Sequence, residues 1–443
     1  MSSTAIALTS LALMLVLIYC GMHVAVVLAL LSFIGVWMMR SDLEVAANLL
    51  AQAASDAIAS HVFGVVPLFV LMGFLVAVAD IGKDAFEAAE RLFRRLRGGL
   101  GMATVAANAV FAAITGISIA SAAVFTRVAV PQMLRFGYTP RFAVGVVAGS
   151  SVLGMLIPPS LLMILYGFLS NQSVGALFTA GILPGLLLAL CYCVAIYAAA
   201  CLRPSWVYAA PAGTGAAGGQ ALGAEMGPAE MGLKLVPALA LIGLCLGGIY
   251  AGMFTATEAG AVGAAGALAV ALLRRRLNWA KFRQVMVDTG HVTVSVSFLI
   301  IAANIYTRML AMSGTPQAIV AGMAELGLGP GAFLAVYIAI ILVLGTILDS
   351  SSILLITLPL MLPIAENFGM DLIWLGVVTV IAVEIGLLTP PFGLSAYVVK
   401  STLNDPRIGL GDIFMGALPF AAVMFLVLIL VIAFPQISLA LLK

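Results

Sequence analysis

The sequence predicts an all-α polytopic membrane protein made of two inverted repeats, each with a re-entrant helical hairpin and a discontinuous helix. The first observation is composition: of 443 residues, 63% are hydrophobic and 9% are charged, and the mean hydropathy is +1.21. Soluble domains carry about 25% charged residues, so a soluble fold is excluded. The other two observations are a repeated pattern of glycine and proline, and a pair of long apolar segments with polar centres.

The glycine and proline positions of the first half recur in the second half at one offset of 232 residues. The matched pairs are Gly82 with Gly314, Gly99 with Gly331, Pro131 with Pro363, Phe136 with Phe368, Gly137 with Gly369, Gly154 with Gly386, Pro158 with Pro390 and Pro159 with Pro391. A single gapless offset over roughly eighty residues is hard to obtain by chance, so it indicates an internal duplication.

Twelve apolar segments follow one another along the chain, six in each half. They lie at 5–20, 22–38, 62–79, 100–130, 141–169, 175–201, 235–252, 256–273, 291–312, 331–363, 371–400 and 413–439. The first reads as a membrane helix, since neither a basic region nor a signal cleavage site accompanies it. The segments 100–130 and 331–363 are too long for one span of about 20 residues and too short for two spans and a loop. We therefore predict re-entrant hairpins at both. Each half then crosses the membrane five times, so the second copy must be inverted.

The basic residues predict the orientation. With the N-terminus outside, 17 of the 20 Lys and Arg residues fall in inside loops, which leaves Arg40, Arg308 and Lys443. Because cytoplasmic loops carry the excess of Lys and Arg, both termini are expected outside.

The predicted domains follow from these elements. Residues 1–202 form the first repeat, with scaffold helices, the hairpin 100–130 and a broken helix at 141–169, and residues 233–443 form the second, with the hairpin 331–363 and a broken helix at 371–400. The Gly/Ala/Pro-rich segment 203–232 is expected to be a flexible cytoplasmic linker. Segments 41–60 and 84–97 have helical apolar spacing and are expected to lie on the membrane surface as amphipathic helices.

The polar centres of the two hairpins, which we call the hairpin tips, are the first candidate sites. In the first hairpin Thr115, Gly116, Ser118 and Ser121 are either small residues that let helices pack closely, or parts of an oxygen cage for sodium at two helix ends. The second tip, 349–352, adds a carboxylate. Asp349 is functional by default at membrane depth, and its alternative role is a helix cap.

The two proline breaks, which contain Pro158 and Pro159 in the first half and Pro390 and Pro391 in the second, are the second candidate sites. Prolines remove amide donors and leave carbonyl groups that hydrocarbon cannot satisfy, so such segments are tolerated where they line a cavity or bind ions. Glu384, Glu258 and Arg308 are the other charges at membrane depth, and each either contacts an ion or substrate or forms a structural pair.

Enzyme and metal motifs are absent from the sequence. The five cysteines have no CxxC spacing, and His23, His61 and His291 have no neighbours at metal-ligand spacing. Nothing matches HExxH, GxSxG or a Walker loop, which argues against an intramembrane protease, an esterase or an ATPase. We expect no enzyme activity, no cofactor, and no metal other than sodium.

The motifs resemble a known family in their order. ITGISIASAA, VPQMLRFGY, GSSVLGMLIPPS and LFTAGILPG in the first half, with GMFTATEAGAVG, GTILDSSSILLITLPLMLPI and EIGLLTPPFG in the second, are similar to the large membrane subunit of tripartite ATP-independent periplasmic (TRAP) transporters. The first tip departs from the family pattern Ser-Gly-Ser-Ser-x-Ala-Thr, because Thr115, Ile117 and Ser121 stand at its first, third and last places.

The resemblance implies a sodium-coupled importer of small organic acids in the bacterial inner membrane, with an elevator mechanism. Its expected partners are a small membrane subunit and a soluble periplasmic substrate-binding protein, and no nucleic acid. The alternative is a sodium-coupled carboxylate or ion transporter that works alone. The candidate sodium ligands are Thr115, Gly116, Ser118, Ser121, Gly149, Ser150, Pro158, Asp349, Ser350, Gly386, Thr389 and Pro390. The candidate substrate ligands are Asp349, Ser351, Ser352 and Glu384.

Overall fold

The protein is almost entirely helical. The computed structural model describes residues 2–59, 64–209, 227–391, 393–403 and 405–442, and in these ranges the sole β contact is an isolated bridge between Tyr138 and Tyr208. The predicted all-α fold class is therefore confirmed. His23 and His291 fall within the described residues, whereas His61 lies outside them.

The described residues of the first half form twelve helices. They are α1 (Ser3–Tyr19), α2 (Val24–Arg40), α3 (Leu43–Ala59), α4 (Val65–Val78), α5 (Ile81–Phe93), α6 (Gly99–Thr115), α7 (Ser118–Arg135), α8 (Pro140–Ser151), α9 (Leu153–Leu156), α10 (Leu161–Ser170), α11 (Val174–Leu202) and α12 (Pro204–Val207).

The second half, in the part that the structure describes, continues with eleven helices, and a π-helical stretch, Gly243–Gly247, joins the first two. They are α13 (Pro228–Ile242), α14 (Gly248–Tyr250), α15 (Ala256–Leu273), α16 (Trp279–Ser313), α17 (Thr315–Glu325), α18 (Pro330–Gly345), α19 (Ser350–Asn367), α20 (Leu372–Gly386), α21 (Leu394–Leu403), α22 (Leu410–Ala433) and α23 (Gln436–Leu439). A 3₁₀ turn at Ala440–Leu442 follows.

Side-chain caps set several of the helix starts. Oxygens of Thr139, Ser173 and Asp371 accept hydrogen bonds from the backbone amides three residues ahead, at 3.3, 3.3 and 2.9 Å. These caps satisfy orphan amides at the starts of α8, α11 and α20. Asn278 does the same for α16. That helix begins twelve residues before the apolar segment predicted at 291–312, because its first turns are polar but still helical.

Nearly the same offset, 231 to 233 residues, relates the starts of whole helices. The first residues of α6, α7, α8 and α10 lie at 99, 118, 140 and 161, and those of α18, α19, α20 and α21 at 330, 350, 372 and 394. Helix pairs thus occupy the positions of both predicted hairpins, and an interrupted helix follows each pair. Both interruptions contain a cis proline pair, Pro158-Pro159 and Pro390-Pro391.

The interrupted helix of the first half and one hairpin arm of the second half lie in the interior. Among the described residues, seven helices are long and apolar enough to cross a membrane, or eight if α4 and α5 are one span bent by 62°. Two of the seven, Pro140–Ser170 and Ser350–Asn367, are 89% and 78% buried, whereas the other five are 28% to 44% buried. The protein therefore surrounds the first break and the arm α19 of the second hairpin, and the other spans keep a large surface for lipid or a partner.

Ion pairs join the surface helix α5 to two later helices. Arg274, after α15, donates to Asp84, and Lys234 of α13 donates to Glu87 at 2.5 Å. Helix α5 begins at residue 81 and ends at 93, while the predicted amphipathic helix covered 84–97. Helix α3 fills 43–59 of the segment predicted at 41–60.

The first residues after 203 do not form the flexible linker that composition predicts. Helix α12 follows at once, and Val207 is fully buried. The amide of Thr139 donates to the carbonyl of Val207 at 2.9 Å, and the amide of Gly98 donates to the hydroxyl of Tyr208 at 2.8 Å. The bulky side chains of Val207 and Tyr208 can pack against the protein, because the Gly/Ala-rich part of the segment begins only after them. Helix α13 begins at Pro228, and residues 210–226 lie outside the described ranges.

Candidate functional site

The first hairpin tip is fitted against the first proline break. Gly116 ends α6 with a φ of +66°, and its carbonyl accepts a hydrogen bond from the amide of Leu161 at 3.2 Å. A Cβ atom at this glycine would lie 2.5 Å from the carbonyl oxygen of Pro159. Only glycine fits this close approach, since the left-handed conformation and the contact both exclude a side chain. The structure thus brings the predicted tip and break together.

Most candidate ligands of the first tip are buried, and some lack a partner. Thr115 donates to the carbonyl of Phe111 at 2.9 Å within its own helix. Ser150 accepts a hydrogen bond from the side-chain amide of Asn108 at 2.6 Å, which joins α8 to α6. Within the described part of the chain, the hydroxyls of Ser118 and Ser121 have no hydrogen-bond partner. Buried polar groups without partners are rare in proteins, so these oxygens are available to a ligand.

Near the first tip, one predicted ligand has a packing role and one residue that was not predicted has the character of a site residue. A Cβ atom at Gly149 would lie 2.4 Å from Cβ of Phe420, so this glycine serves the packing of α8 against α22. Asn108 was not among the predicted site residues, yet it is fully buried and its side-chain oxygen has no partner in the described structure. A polar side-chain amide inside the otherwise apolar stretch 105–114 is the sequence feature that could have identified Asn108.

The second tip is capped by Asp349. One carboxylate oxygen accepts hydrogen bonds from the amides of Ser351 and Ser352 at 3.1 and 3.2 Å, and the other accepts one from the hydroxyl of Ser352 at 2.5 Å. The helix-cap role considered for Asp349 is thus present. It does not exclude a ligand role, because the oxygen that accepts only from the Ser352 hydroxyl has a second acceptor site.

The second tip also meets its break, through two glycines. A Cβ atom at Gly345 would lie 2.5 Å from Cα of Gly386, so α18 and α20 touch through their backbones. Beyond this contact, Thr389 donates to the carbonyl of Gly386 at 2.7 Å. Small residues allow this close helix approach, as at other helix crossings in membrane proteins.

The two tips differ in exposure. Every residue from 151 to 160 is buried, and so are Thr115, Gly116 and Ser118. In the second half Asp349, Pro390 and Pro391 are exposed. The first tip and break are therefore closed by protein, and the second tip and break are open in this chain.

Glu384 is the fully buried carboxylate of the site. It lies in α20 with 0% exposure, and its Oε1 atom accepts a hydrogen bond from the hydroxyl of Ser350 at 3.1 Å. Ser118 faces the same carboxyl group without a hydrogen bond of normal geometry, and Oε2 has no partner among the described residues. The structure thus brings together residues from both hairpins at one carboxylate.

The other charges at membrane depth lie elsewhere. Glu258 forms a capping box with Thr255 at the start of α15, and Arg308 pairs with Asp56 of α3 at 2.5 Å. Both have the structural role that was the alternative to ligand contact. A cavity of about 1230 Å³ opens beside Glu258, between the start of α11 and the loop before α15, and none of the candidate ion ligands lines it.

The donor set of the two tips is made of oxygen atoms. It offers hydroxyl groups, backbone carbonyls and two carboxylates, and the described residues contain no cluster of three His, Cys, Asp or Glu side chains. Oxygen donors suit hard cations, whereas thiolate and imidazole clusters suit softer metals.

Comparisons with known proteins find a family of related transporters. A family model described as "Tripartite ATP-independent periplasmic transporter, DctM component" matches residues 11–437. The C4-dicarboxylate TRAP transporter large permease protein of Pseudomonas aeruginosa is 36% identical over 377 residues, 85% of each chain. The sialic acid TRAP transporter large permease protein of Vibrio cholerae is 31% identical over 89% of each chain, and the ectoine TRAP transporter large permease protein of Halomonas elongata is 30% identical over 96% of each chain.

A solved structure shares the fold. The YdaH transporter of Alcanivorax borkumensis, whose structure is described as having an unusual topology, superposes with a TM-score of 0.57 over 91% of each chain. The sequence identity is 14%, so this likeness concerns the fold alone.

Proposed function

Because the chain belongs to the DctM-component family of tripartite ATP-independent periplasmic transporters, we propose that it imports a small organic acid in symport with sodium. The importer works in the bacterial inner membrane by an elevator movement. The proposal rests on one observation: in both halves of the chain, a polar hairpin tip contacts a proline break.

Sodium is the coupling ion that best fits the two tips. Each tip places the end of one helix, the start of another and an unwound segment close together, and such half-helix ends coordinate ions in transporters. The ligands would come from Thr115, Gly116, Ser118, Ser121, Gly149, Ser150 and Pro158 in the first half, and from Asp349, Ser350, Gly386, Thr389 and Pro390 in the second.

The substrate would bind at the open second tip. C4-dicarboxylates, sialic acid and ectoine, which the relatives are named for, all carry a carboxylate group. Ser351 and Ser352 lie in the first turn of α19, where the helix dipole favours an anion. Asp349 and Glu384 would repel an anion directly, so a sodium ion has to bridge either carboxylate to the substrate.

The elevator requires a moving and a fixed part. The two hairpins and the two interrupted helices form the moving part, and the remaining helices of the repeats 1–202 and 233–443 form the scaffold. Helices α3 and α5 would brace this scaffold on the two membrane faces. Leu43 and Ile58 of α3 are 57% and 59% exposed, which suits contact with lipid or with a small membrane subunit. A soluble periplasmic binding protein would deliver the substrate.

Transport by reconstituted vesicles tests this function. The chain is inserted into liposomes with a candidate small membrane subunit and a candidate binding protein taken from the open reading frames that flank its gene, and uptake of labelled C4-dicarboxylate, sialic acid and ectoine is measured. We expect uptake of at least one acid with a sodium gradient, and none when potassium replaces sodium. Equal uptake in both salts would exclude sodium coupling.

Omission of the partners is the second arm of the same experiment. We expect vesicles that hold this chain alone to show no uptake above empty vesicles. Sodium-driven uptake by the chain alone would instead support the transporter that needs no binding protein.

A further inference from the structure

The carboxyl group of Glu384 lies between the first residues of two helices that belong to different hairpins. Ser350 is the first residue of α19, and its hydroxyl donates to Oε1 of Glu384 at 3.1 Å. Ser118 is the first residue of α7 and faces the same carboxyl group. The two serines are equivalent in the internal repeat, since they are 232 residues apart.

Each of these serines is adjacent to a hairpin tip. Ser118 follows the tip residues Gly116 and Ile117, and Ser350 follows Asp349. An ion bound at either tip as proposed would draw in backbone and side-chain oxygens of these residues, the serines among them, and would so shift the serine hydroxyl relative to Glu384. Glu384 itself is held in place, because two residues later Gly386 touches the backbone of Gly345.

Packing alone does not account for a glutamate at this position. The equivalent residue of the first repeat is Val152, which is also fully buried. A buried carboxylate costs free energy that a valine does not, unless other groups compensate for it. One oxygen of Glu384 has no partner in the described chain, so compensation by the protein is incomplete.

We propose that Glu384 is a positioning residue that links the two hairpins, so that sodium bound at one tip raises the affinity of the other tip. This inference rests on the proposed sodium coupling and adds cooperativity between the two sites. The carboxylate can accept hydrogen bonds from both serines, and its charge attracts a cation at either tip.

Equilibrium binding of radioactive sodium to the purified full-length chain tests the link. Ionic strength is kept constant with choline chloride. We expect the wild type to bind two ions with a Hill coefficient near the number of sites, about 2. In Glu384→Gln the number of bound ions stays the same, the Hill coefficient falls to about 1, and the half-saturating sodium concentration rises.

Two further variants keep the result interpretable. Glu384→Asp retains the charge but is one methylene too short to reach both serines, so it should also lose cooperativity while its affinity stays closer to that of the wild type. Thr379→Val removes another fully buried polar group of α20 at nearly constant volume, and it should leave the Hill coefficient unchanged.

The outcomes separate this inference from the proposed function. A Hill coefficient of about 2 in both Glu384 variants, with two ions bound, would overturn the link and leave sodium coupling intact. A wild type that binds no sodium would overturn both. Loss of cooperativity in Thr379→Val as well would show that α20 packing, and not the carboxylate, connects the sites.

Discussion

At the residue scale, Asp349 combines a helix cap with a candidate ion ligand. Its oxygens accept three hydrogen bonds from Ser351 and Ser352. Asparagine caps helices about as well as aspartate, but it carries no charge. Substitution by asparagine therefore separates the two roles, because it retains the cap and removes the ligand charge.

We predict that Asp349→Asn keeps the thermal unfolding midpoint of the wild type and raises the half-saturating sodium concentration for uptake at least about tenfold. Asp371→Asn is the matched control, since Asp371 caps α20 from an exposed position in the same way. Unchanged sodium dependence in Asp349→Asn, at equal membrane expression, would leave Asp349 with the cap role alone.

Gly116 gives a second prediction at the residue scale. Gly116→Ala places a methyl group 2.5 Å from the carbonyl oxygen of Pro159 and strains a φ of +66°. Gly137 has a φ of +77° but open space around it, so Gly137→Ala measures the strain alone, about 1 kcal/mol. We expect uptake to be lost in Gly116→Ala and retained in Gly137→Ala. Similar uptake in both variants would show that the fit between tip and break is dispensable.

At the element scale, the crossing of α18 and α20 holds the second hairpin against its interrupted helix. The contact is between the backbones of Gly345 and Gly386, where neither helix leaves room for a side chain. We predict that Gly345→Ala forces the two helices apart and destabilises the protein by about 1 to 3 kcal/mol. The measurement is the thermal unfolding midpoint in detergent.

The control for this crossing lies on the same helix. A methyl group at Gly331 would meet no atom within 4 Å. Alanine is also the better helix former, so Gly331→Ala should match the wild type or unfold at a slightly higher temperature. An equal loss of stability in both variants would show that the loss comes from α18 itself and not from its contact with α20.

How much of this architecture could be predicted depends on whether a local signal marks it. Paired prolines and polar tips in apolar segments locate both breaks and both hairpins, because such residues are costly in hydrocarbon. The hydrogen bond from Ser350 to Glu384 joins residues 34 apart in the sequence through the packing of α19 against α20, and no local pattern contains it. The exposure of the second tip likewise depends on which helices surround it.

At the scale of the whole molecule, charge is divided between the two ends of the helix bundle. Arg274 and Lys234 pair with α5 at one end, and Arg308 pairs with Asp56 of α3 at the other. Outside-facing loops are predicted at the second end, where Lys and Arg are few. The predicted orientation therefore assigns every loop of the chain to one side of the membrane.

Single-cysteine labelling measures this orientation. In a cysteine-free background, we predict that Ser173→Cys reacts with a membrane-impermeant maleimide added to whole spheroplasts, whereas Ala280→Cys reacts only after the membrane is opened. Both residues are exposed in the structure, so access depends on the membrane side alone. The reverse pattern would place the termini inside.

The unequal burial of the two tips has a kinetic consequence. An ion bound at the first tip would be enclosed by a break in which every residue from 151 to 160 is buried, whereas an ion bound at the second tip would face an exposed proline pair. If both tips bind sodium as proposed, we expect exchange to be faster at the second tip, because at the first tip the ion has to wait for the hairpin to part from its break. The slow departure of the enclosed ion would then set the lifetime of the loaded state.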